Sequence, residues 1–410
     1  MSKFIARPWV GLSIILFVCL SFLGAEAINH RLWLPDFEVY YKAAYRLINS
    51  ENLYRHSEDG HYIFKYSPVS ALIFIPFTIF SFGIAKIIYW LILTGTILLN
   101  FYISVRLLFP EIGSKSDAKR INVLYLLSSL IVALHFLREL HLGQVNYLLM
   151  FMFVLVLFAL GKQKVITASI ILSLSLFIKP FGLIFLPYLL YRKKFRALFM
   201  VGVSSVAWAL TPLLFYRNWH LFINQYYAWF NEILIEMGHK QALLADANHT
   251  VFSVIARFTP LRFILSDPRY AQFYQLAILI ALLFFFYKAF KLSALNKTGE
   301  NTIFDFYLLI GFIPLLAFTS ENAFVFEQLL VVVVLFYFRL LSTFEKTLAI
   351  LSFIFIGGNF AELLGSKVSV FLDNNSFVAI GAMILIFVFY KLLVKLKEIQ
   401  ETSNRGSSVV

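Results

Sequence analysis

The segment Leu34-Pro35-Asp36-Phe37-Glu38-Val39-Tyr40-Tyr41 sets a carboxylate at the head of a run in which Phe37, Tyr40, Tyr41, Ala44 and Ile48 recur at helical spacing. Two readings of Asp36 follow. An Asp between Pro and an apolar-periodic run is a common helix N-cap. A carboxylate at a water–lipid boundary can also act as a general base, taking the proton from an acceptor hydroxyl. Further polar residues stand at the ends of later apolar runs: Tyr66 ahead of Pro68, then His141, Gln144 and Asn146, then Lys179 beside Pro180. Gln144 and Asn146 suit either helix-to-helix hydrogen bonding or contacts with a substrate. Lys179 lies between two short apolar segments where Pro180 breaks the helix. It suits either snorkelling to the interface or holding a phosphate at headgroup depth.

A second set comes later, with Asn248-His249-Thr250, Arg257, Arg262 and Glu321-Asn322. Asn248-His249-Thr250 also matches the bare pattern of an N-glycosylation acceptor, which carries little weight alone. Arg257 and Arg262 can grip a phosphate bidentately or remain solvated. His249 and Glu321 are further acid–base candidates. His135, His141 and His249 lack metal-ligand spacing, and no run of carboxylates suggests a cation cage, so neither a metal nor a cofactor is expected. Phosphate-binding loops, dinucleotide glycine fingerprints and Ser-His-Asp patterns are missing from the sequence.

The elements that must carry these groups are membrane helices. Of the 410 residues 60% are hydrophobic and 14% charged, whereas a soluble domain has about a quarter charged. The net charge of +13 is spread between apolar runs instead of forming a basic face, which argues against nucleic acid as a partner. The one cysteine, Cys19, permits no disulfide within the chain. Lys3 and Arg7 ahead of Trp9 to Gly24, with Ala25-Glu26-Ala27 after it, resemble a signal peptide; the apolar runs that follow favour a retained anchor.

A crossing needs about 20 apolar residues. Full or near-full spans are expected at 8–27, 84–108, 121–139, 145–161, 165–178, 181–191, 197–215, 273–290, 302–318, 324–341, 347–361 and 376–394, with 68–81 re-entrant. That count puts the basic connections around Lys115/Lys119/Arg120, Lys162/Lys164, Arg192 to Arg196, Lys288/Lys291/Lys297 and Lys391/Lys395/Lys397 on one side, the cytoplasmic one. The loops 28–67 and 216–272 then face outward, and both termini lie inside. The expected fold is an all-α polytopic bundle of about 12 transmembrane helices, a single domain over 1–400, with amphipathic helices in the outer loops and a flexible tail at 401–410.

In this order the segments resemble glycosyltransferase family 87, the polyprenyl-phosphate-mannose-dependent membrane mannosyltransferases of the GT-C class. The resemblance is carried by Asp36-Phe37 with Tyr40-Tyr41 and Ala43-Ala44, by Phe64-Lys65-Tyr66-Ser67-Pro68, by Gly143-Gln144-Val145-Asn146, by Lys179-Pro180 with Leu186-Pro187 and Arg192 to Arg196, and by Asn248-His249-Thr250. It implies a GT-C-type bundle, a first-loop aspartate, by position Asp36, as catalytic base, and Lys179 at the carrier phosphate. Tyr40, Tyr41, Tyr66, His141, Gln144, Asn146, Asn248, His249, Arg257 and Glu321 complete the expected substrate site. The chain departs from the family at Tyr66-Ser67-Pro68, where Tyr-Pro-Pro is usual, at Asn248-His249-Thr250, where Asn-Gln-Ser is usual, and over 320–328, which lacks the usual Trp and paired histidines.

The activity so implied is inverting transfer of a sugar, mannose by resemblance, from a polyprenyl-phosphate donor to a lipid-linked or cell-envelope glycan. The site would lie on the outer, periplasmic face of the inner membrane, with membrane lipid as a further partner. A transporter or flippase of lipid-linked sugars, and a silent membrane scaffold, are the alternatives. Gathering of the polar groups on one face, away from the bilayer midplane, favours the transferase.

Overall fold

A computed structural model describes residues 7–108, 115–216, 218–240, 243–246, 248–265, 267–294 and 301–407. Lys3 and Lys297, both named above, lie outside the described residues. Every regular element among them is helical. An apolar solvent leaves each backbone N–H and C=O to be satisfied within its own segment, which a helix does.

Among the described residues five helices are long and apolar enough to cross a membrane: Val10–Ile28, Phe82–Leu108, Phe195–Leu214, Arg269–Ser293 and Phe377–Thr402. A sixth is obtained if Ser116–Ile131 and Ala133–Leu142, bent by 65° at their junction, make one span. The remaining expected spans are shorter helices. Asn146–Gly161, Val165–Ile178, Pro180–Tyr191 and Thr302–Leu316 have 10 to 17 residues, and 324–341 divides into a 3₁₀ turn, Glu321–Glu327, and the helix Gln328–Phe336. The apolar stretch at 68–81 is likewise short, Pro68–Phe74 followed by the 3₁₀ turn Ile75–Ile79. At the C-terminal end the last helix runs from Phe377 to Ser407, and residues 408–410 of the tail expected at 401–410 lie outside the described residues. An i,i+4 pair, Lys397 and Glu401 at 3.4 Å, supports that extension.

The chain divides into two compact units, one of Leu16–Asn100 and Leu137–Lys240, the other of Met1–Ile15, Phe101–Phe136 and Gln241–Val410. In the first, the helix Pro35–Ile48 buries Phe37, Tyr40, Ala43, Ala44 and Leu47. Protein covers this face of the amphipathic helix. Tyr41 is half-buried and Ile48 exposed, and the buried face is covered by protein. Phe37 is fully buried, stacked on Tyr89 with ring centroids 4.2 Å apart and meeting Phe77 edge-on at 5.3 Å. Burying such a ring contributes about 1.5–3 kcal/mol. The loop after this helix is tied back by a two-bonded Arg46–Asp59 pair at 2.5 and 2.7 Å.

Gly143 is the tight point of this unit. It ends the helix Ala133–Leu142 with φ +71°, donating to the Glu139 carbonyl at 2.9 Å. A Cβ there would lie 2.9 Å from the Phe37 Cβ and 3.2 Å from that of Leu34. Glycine meets both demands, a left-handed helix end and a close approach. Gln144 is thereby delivered beside the start of the Pro35–Ile48 helix.

In the second unit Thr343–Gly357 packs along the last helix, with Ser352 Oγ donating to the Gly381 carbonyl at 2.8 Å. Gln328–Phe336 is buried nearly throughout.

Candidate functional site

Asp36 is the second residue of its helix. Leu34 occupies the N-cap position in a left-handed conformation and Pro35 the first helical position. The capping reading of Asp36 is thus corrected: its carboxylate accepts a hydrogen bond from the Gln144 side-chain Nε2. Gln144 Oε1 in turn accepts from Lys179 Nζ at 3.4 Å and from the Tyr40 hydroxyl at 3.4 Å. A carboxylate only accepts and an ammonium only donates, so this orientation of the amide is the one that satisfies both ends. Lys179 Nζ also donates to Asn146 Oδ1 at 2.8 Å. Asn146 passes the chain on to Glu139, donating from Nδ2 to Oε1 at 2.6 Å and from its backbone N–H to Oε2 at 3.1 Å. The hydroxyls of Tyr40 and Tyr66 lie 3.0 Å apart.

Local chemistry explains how these groups converge. Lys179 follows the helix Val165–Ile178 in an extended conformation, and Pro180 starts a 3₁₀ turn, so the chain changes direction at the lysine. Ser67 caps the helix Pro68–Phe74, accepting from the Ser70 N–H at 3.3 Å, while its hydroxyl donates to the Phe177 carbonyl at 2.7 Å. That bond pins Tyr66 next to the end of the lysine-bearing helix. The serine here acts as a cap and a tie, neither of which proline can supply.

Burial raises the pKa of Asp36 above the usual carboxylate range; the Lys179 charge and the Gln144 hydrogen bond oppose that rise. Burial pulls Lys179 below its ordinary value, against the carboxylates of Glu139 and Asp36, which hold its proton. With all three ionised the cluster carries two negative charges and one positive, held in a poorly hydrated place.

Of the residues singled out by sequence, Asp36, Tyr40, Tyr66, Gln144, Asn146 and Lys179 come together. Tyr41 and His141, in the same unit, are engaged elsewhere. The Tyr41 hydroxyl donates to the Phe80 carbonyl at 2.8 Å, and His141 Nδ1 pairs with Glu26 Oε2 at 2.6 Å. Glu139 was missed. Its signal was an ionisable residue inside an apolar run, which in a membrane chain is a functional pointer by default.

The second unit holds Asn248, His249, Arg257 and Glu321. Asn248-His249-Thr250 is a capping turn: Thr250 Oγ1 accepts from the Ser253 N–H, and Asn248 Oδ1 accepts from the Thr250 N–H at 3.1 Å and its hydroxyl at 2.8 Å. Asn248 is buried. Arg257 Nη2 donates to the Asn248 carbonyl at 2.8 Å and to Ser376 Oγ, and Nη1 donates to the Asn374 carbonyl. Burial lowers the pKa of Arg257, opposed by the Asp246 charge. His249 faces Asp373 and Ser376, two residues that no sequence motif indicated.

The family model of glycosyltransferase family 87 matches residues 64–319, well over half of the chain. The matched segment includes Tyr66, Gln144, Asn146 and Lys179 together with His141, Asn248, His249 and Arg257, whereas Asp36, Tyr40 and Tyr41 precede it and Glu321 follows it. None of the curated proteins matches the chain.

Proposed function

The chain belongs to glycosyltransferase family 87 and is a membrane glycosyltransferase; from this premise we propose that it transfers a sugar, mannose first among the options, from a polyprenyl-phosphate donor to a glycan or glycolipid acceptor with inversion at the anomeric carbon. The carrying observation is the Asp36–Gln144–Lys179 bridge, a base and a cation held on opposite ends of one amide. Gln144 donates to Asp36 as an acceptor hydroxyl would, and accepts from Lys179 as a phosphate oxygen would. The amide occupies the line along which the two substrates would replace it.

In the proposed reaction Asp36 takes the proton of the acceptor hydroxyl, whose oxygen bonds to the anomeric carbon as the bond from that carbon to the phosphate oxygen breaks. The carrier phosphate leaves with the electron pair. It is a good leaving group, so positioned positive charge serves it better than a general acid. Lys179 supplies that charge, and Asn146 and Glu139 hold Lys179 in place. The reading puts the loops 28–67 and 216–272, and the site, outside the cytoplasm of the inner membrane, with both termini inside.

The test is Asp36→Asn, assayed with polyprenyl-phosphate sugars at saturating donor. Asn keeps the volume and an acceptor for Gln144 but cannot take the proton. Turnover is expected to fall about 10²-fold to 10⁴-fold, the usual worth of a positioned general base. Retention of more than about a tenth of parental turnover would remove Asp36 from the role.

A further inference from the structure

The membrane-crossing helix Arg269–Ser293 carries two amides on one face of an otherwise apolar run. Gln272, Gln275, Leu276 and Leu279 fall at i, i+3, i+4 and i+7, and all four line a cleft of about 470 Å³, within the size range of small-molecule sites. The facing walls come from Asn248, Thr250 and Phe252, and from Leu316 and Phe318 at the end of the helix Asn301–Leu316. All of these residues belong to the unit formed by Met1–Ile15, Phe101–Phe136 and Gln241–Val410. The Tyr274 hydroxyl donates to the Phe252 carbonyl at 2.8 Å, which fixes one wall to the crossing helix. Phe252 and Tyr274 also pack on the buried cluster of Leu243, Ala256 and Leu265, so the cleft has a firm floor.

The two glutamines are a second, independent observation. Both are exposed where they line the cleft, and neither side chain hydrogen-bonds to another of the described residues. Arg269, exposed and paired with Asp267 at 3.1 Å, marks the polar end of the span. Gln275 stands six residues further on, about 9 Å along the axis. At that depth an amide turned to hydrocarbon without a partner is costly. Phe273, Ile280 and Phe284, exposed on other sides of the same helix, are the side chains suited to lipid. Hydrocarbon in the cleft would leave both amides unmet, and water alone would wet Leu276, Leu279, Leu316 and two phenylalanines. An amphiphile meets both demands. No charged residue lines the cleft among the described residues, so a phosphate headgroup would find no counter-charge there. A side-chain amide both donates and accepts, as a hydroxyl does, and two amides three residues apart on a helix reach neighbouring hydroxyls.

We propose that this cleft binds an uncharged glycolipid, with sugar hydroxyls on Gln272 and Gln275 and the first part of an acyl chain along Leu276, Leu279 and Leu316. Phe252 and Phe318 offer apolar ring faces to the C–H side of the sugar. That such a lipid is the acceptor of the proposed transfer rests on that reading; its binding in the cleft does not.

The experiment uses the full-length protein in phosphatidylcholine nanodiscs and, as probe, a diglucosyldiacylglycerol with a photoactivatable diazirine in one acyl chain. Saturable labelling within 272–279 or 316–318 is expected, competed by unlabelled diglucosyldiacylglycerol and not by phosphatidylglycerol. That competition is read on the parent protein and is independent of how any variant folds. Replacing both amides, Gln272→Leu with Gln275→Leu, should weaken the saturable labelling about 10-fold, the scale of losing two uncharged hydrogen-bonding groups. Thermal unfolding should not move, because both positions are exposed. Asp36→Asn should label as the parent does, so failure of the transfer reaction leaves this site standing. Equal competition by phosphatidylglycerol would mean an unselective lipid contact, absence of saturable labelling would leave the amides to water, and undiminished labelling of the folded double variant would remove them from the site. Each of these outcomes overturns the proposal.

Discussion

Replacing Lys179 by Met removes its positive charge from a cluster that also contains Asp36 and Glu139. Formal charge goes from minus one, counting Asp36, Glu139 and Lys179, to minus two. Breaking a fully buried pair costs about 3–5 kcal/mol because the remaining charge is stranded. Lys179 keeps some exposure, so about 2 kcal/mol is the reasonable expectation here. The cluster can relieve itself by keeping a proton on a carboxyl. Because the Lys179 charge is the largest influence lowering the pKa of Asp36, its loss raises that pKa further. Two effects on catalysis then separate by pH. Turnover is lost at a higher pH than in the parent as pH falls, because more Asp36 is protonated; at higher pH turnover recovers, but the Michaelis constant for the donor stays raised, since a phosphate contact present before and during departure is uniform binding. The double variant Lys179→Met with Glu139→Gln returns the formal charge to minus one and should regain most of the lost thermal stability without regaining donor affinity. The assays are thermal unfolding in detergent and initial rates against donor concentration at two pH values. An unchanged Michaelis constant with turnover depressed at every pH would refute the phosphate contact. Should stability, turnover and affinity all match the parent, Lys179 is a snorkelling residue with no part in the site.

Three further outcomes are expected. The acid limb of kcat/KM should lie above the range of an ordinary carboxyl, because the base must be ionised to work and burial raises Asp36; activity is present above that limb and is lost as pH falls through it, and Asp36→Asn should abolish the limb. Gly143→Ala, at φ +71° with the new Cβ 2.9 Å from that of Phe37, should lower stability by about 1–3 kcal/mol and displace Gln144, seen as a fall in turnover out of proportion to any change in expression. With Cys19 replaced, a cysteine at Ser57 should react with an impermeant thiol reagent in intact cells while one at Ser116 should not; both positions are exposed, so reaction at Ser116 would invert the proposed orientation.

Much of the site was legible because a polar residue beside an apolar run has few places to go. Lipid cannot solvate it, so Gln144, Asn146 and Lys179 had to meet each other, water or a ligand. Their meeting with Asp36 was not legible. It depends on the close approach of Gly143 to Phe37, a contact across more than a hundred residues. The same limit applies to His141, which looked like its neighbour Gln144 but pairs with Glu26, and to His249, whose partners Asp373 and Ser376 carry no motif.

The sequence by itself determined the helical class, the membrane as solvent and the residues able to do proton and phosphate chemistry, because composition, apolar run length and side-chain type are local properties. Tertiary structure decided which face of Pro35–Ile48 is covered and by what, where long apolar runs break, as at the 65° bend after Ile131, and which carboxylate neighbours which cation. Periodicity names an apolar face without naming its cover, and hydropathy averages over a bend. Charge pairing follows distance in space, which is set only when Gly143, Ser67 and Pro180 bring the ends of these helices to one point.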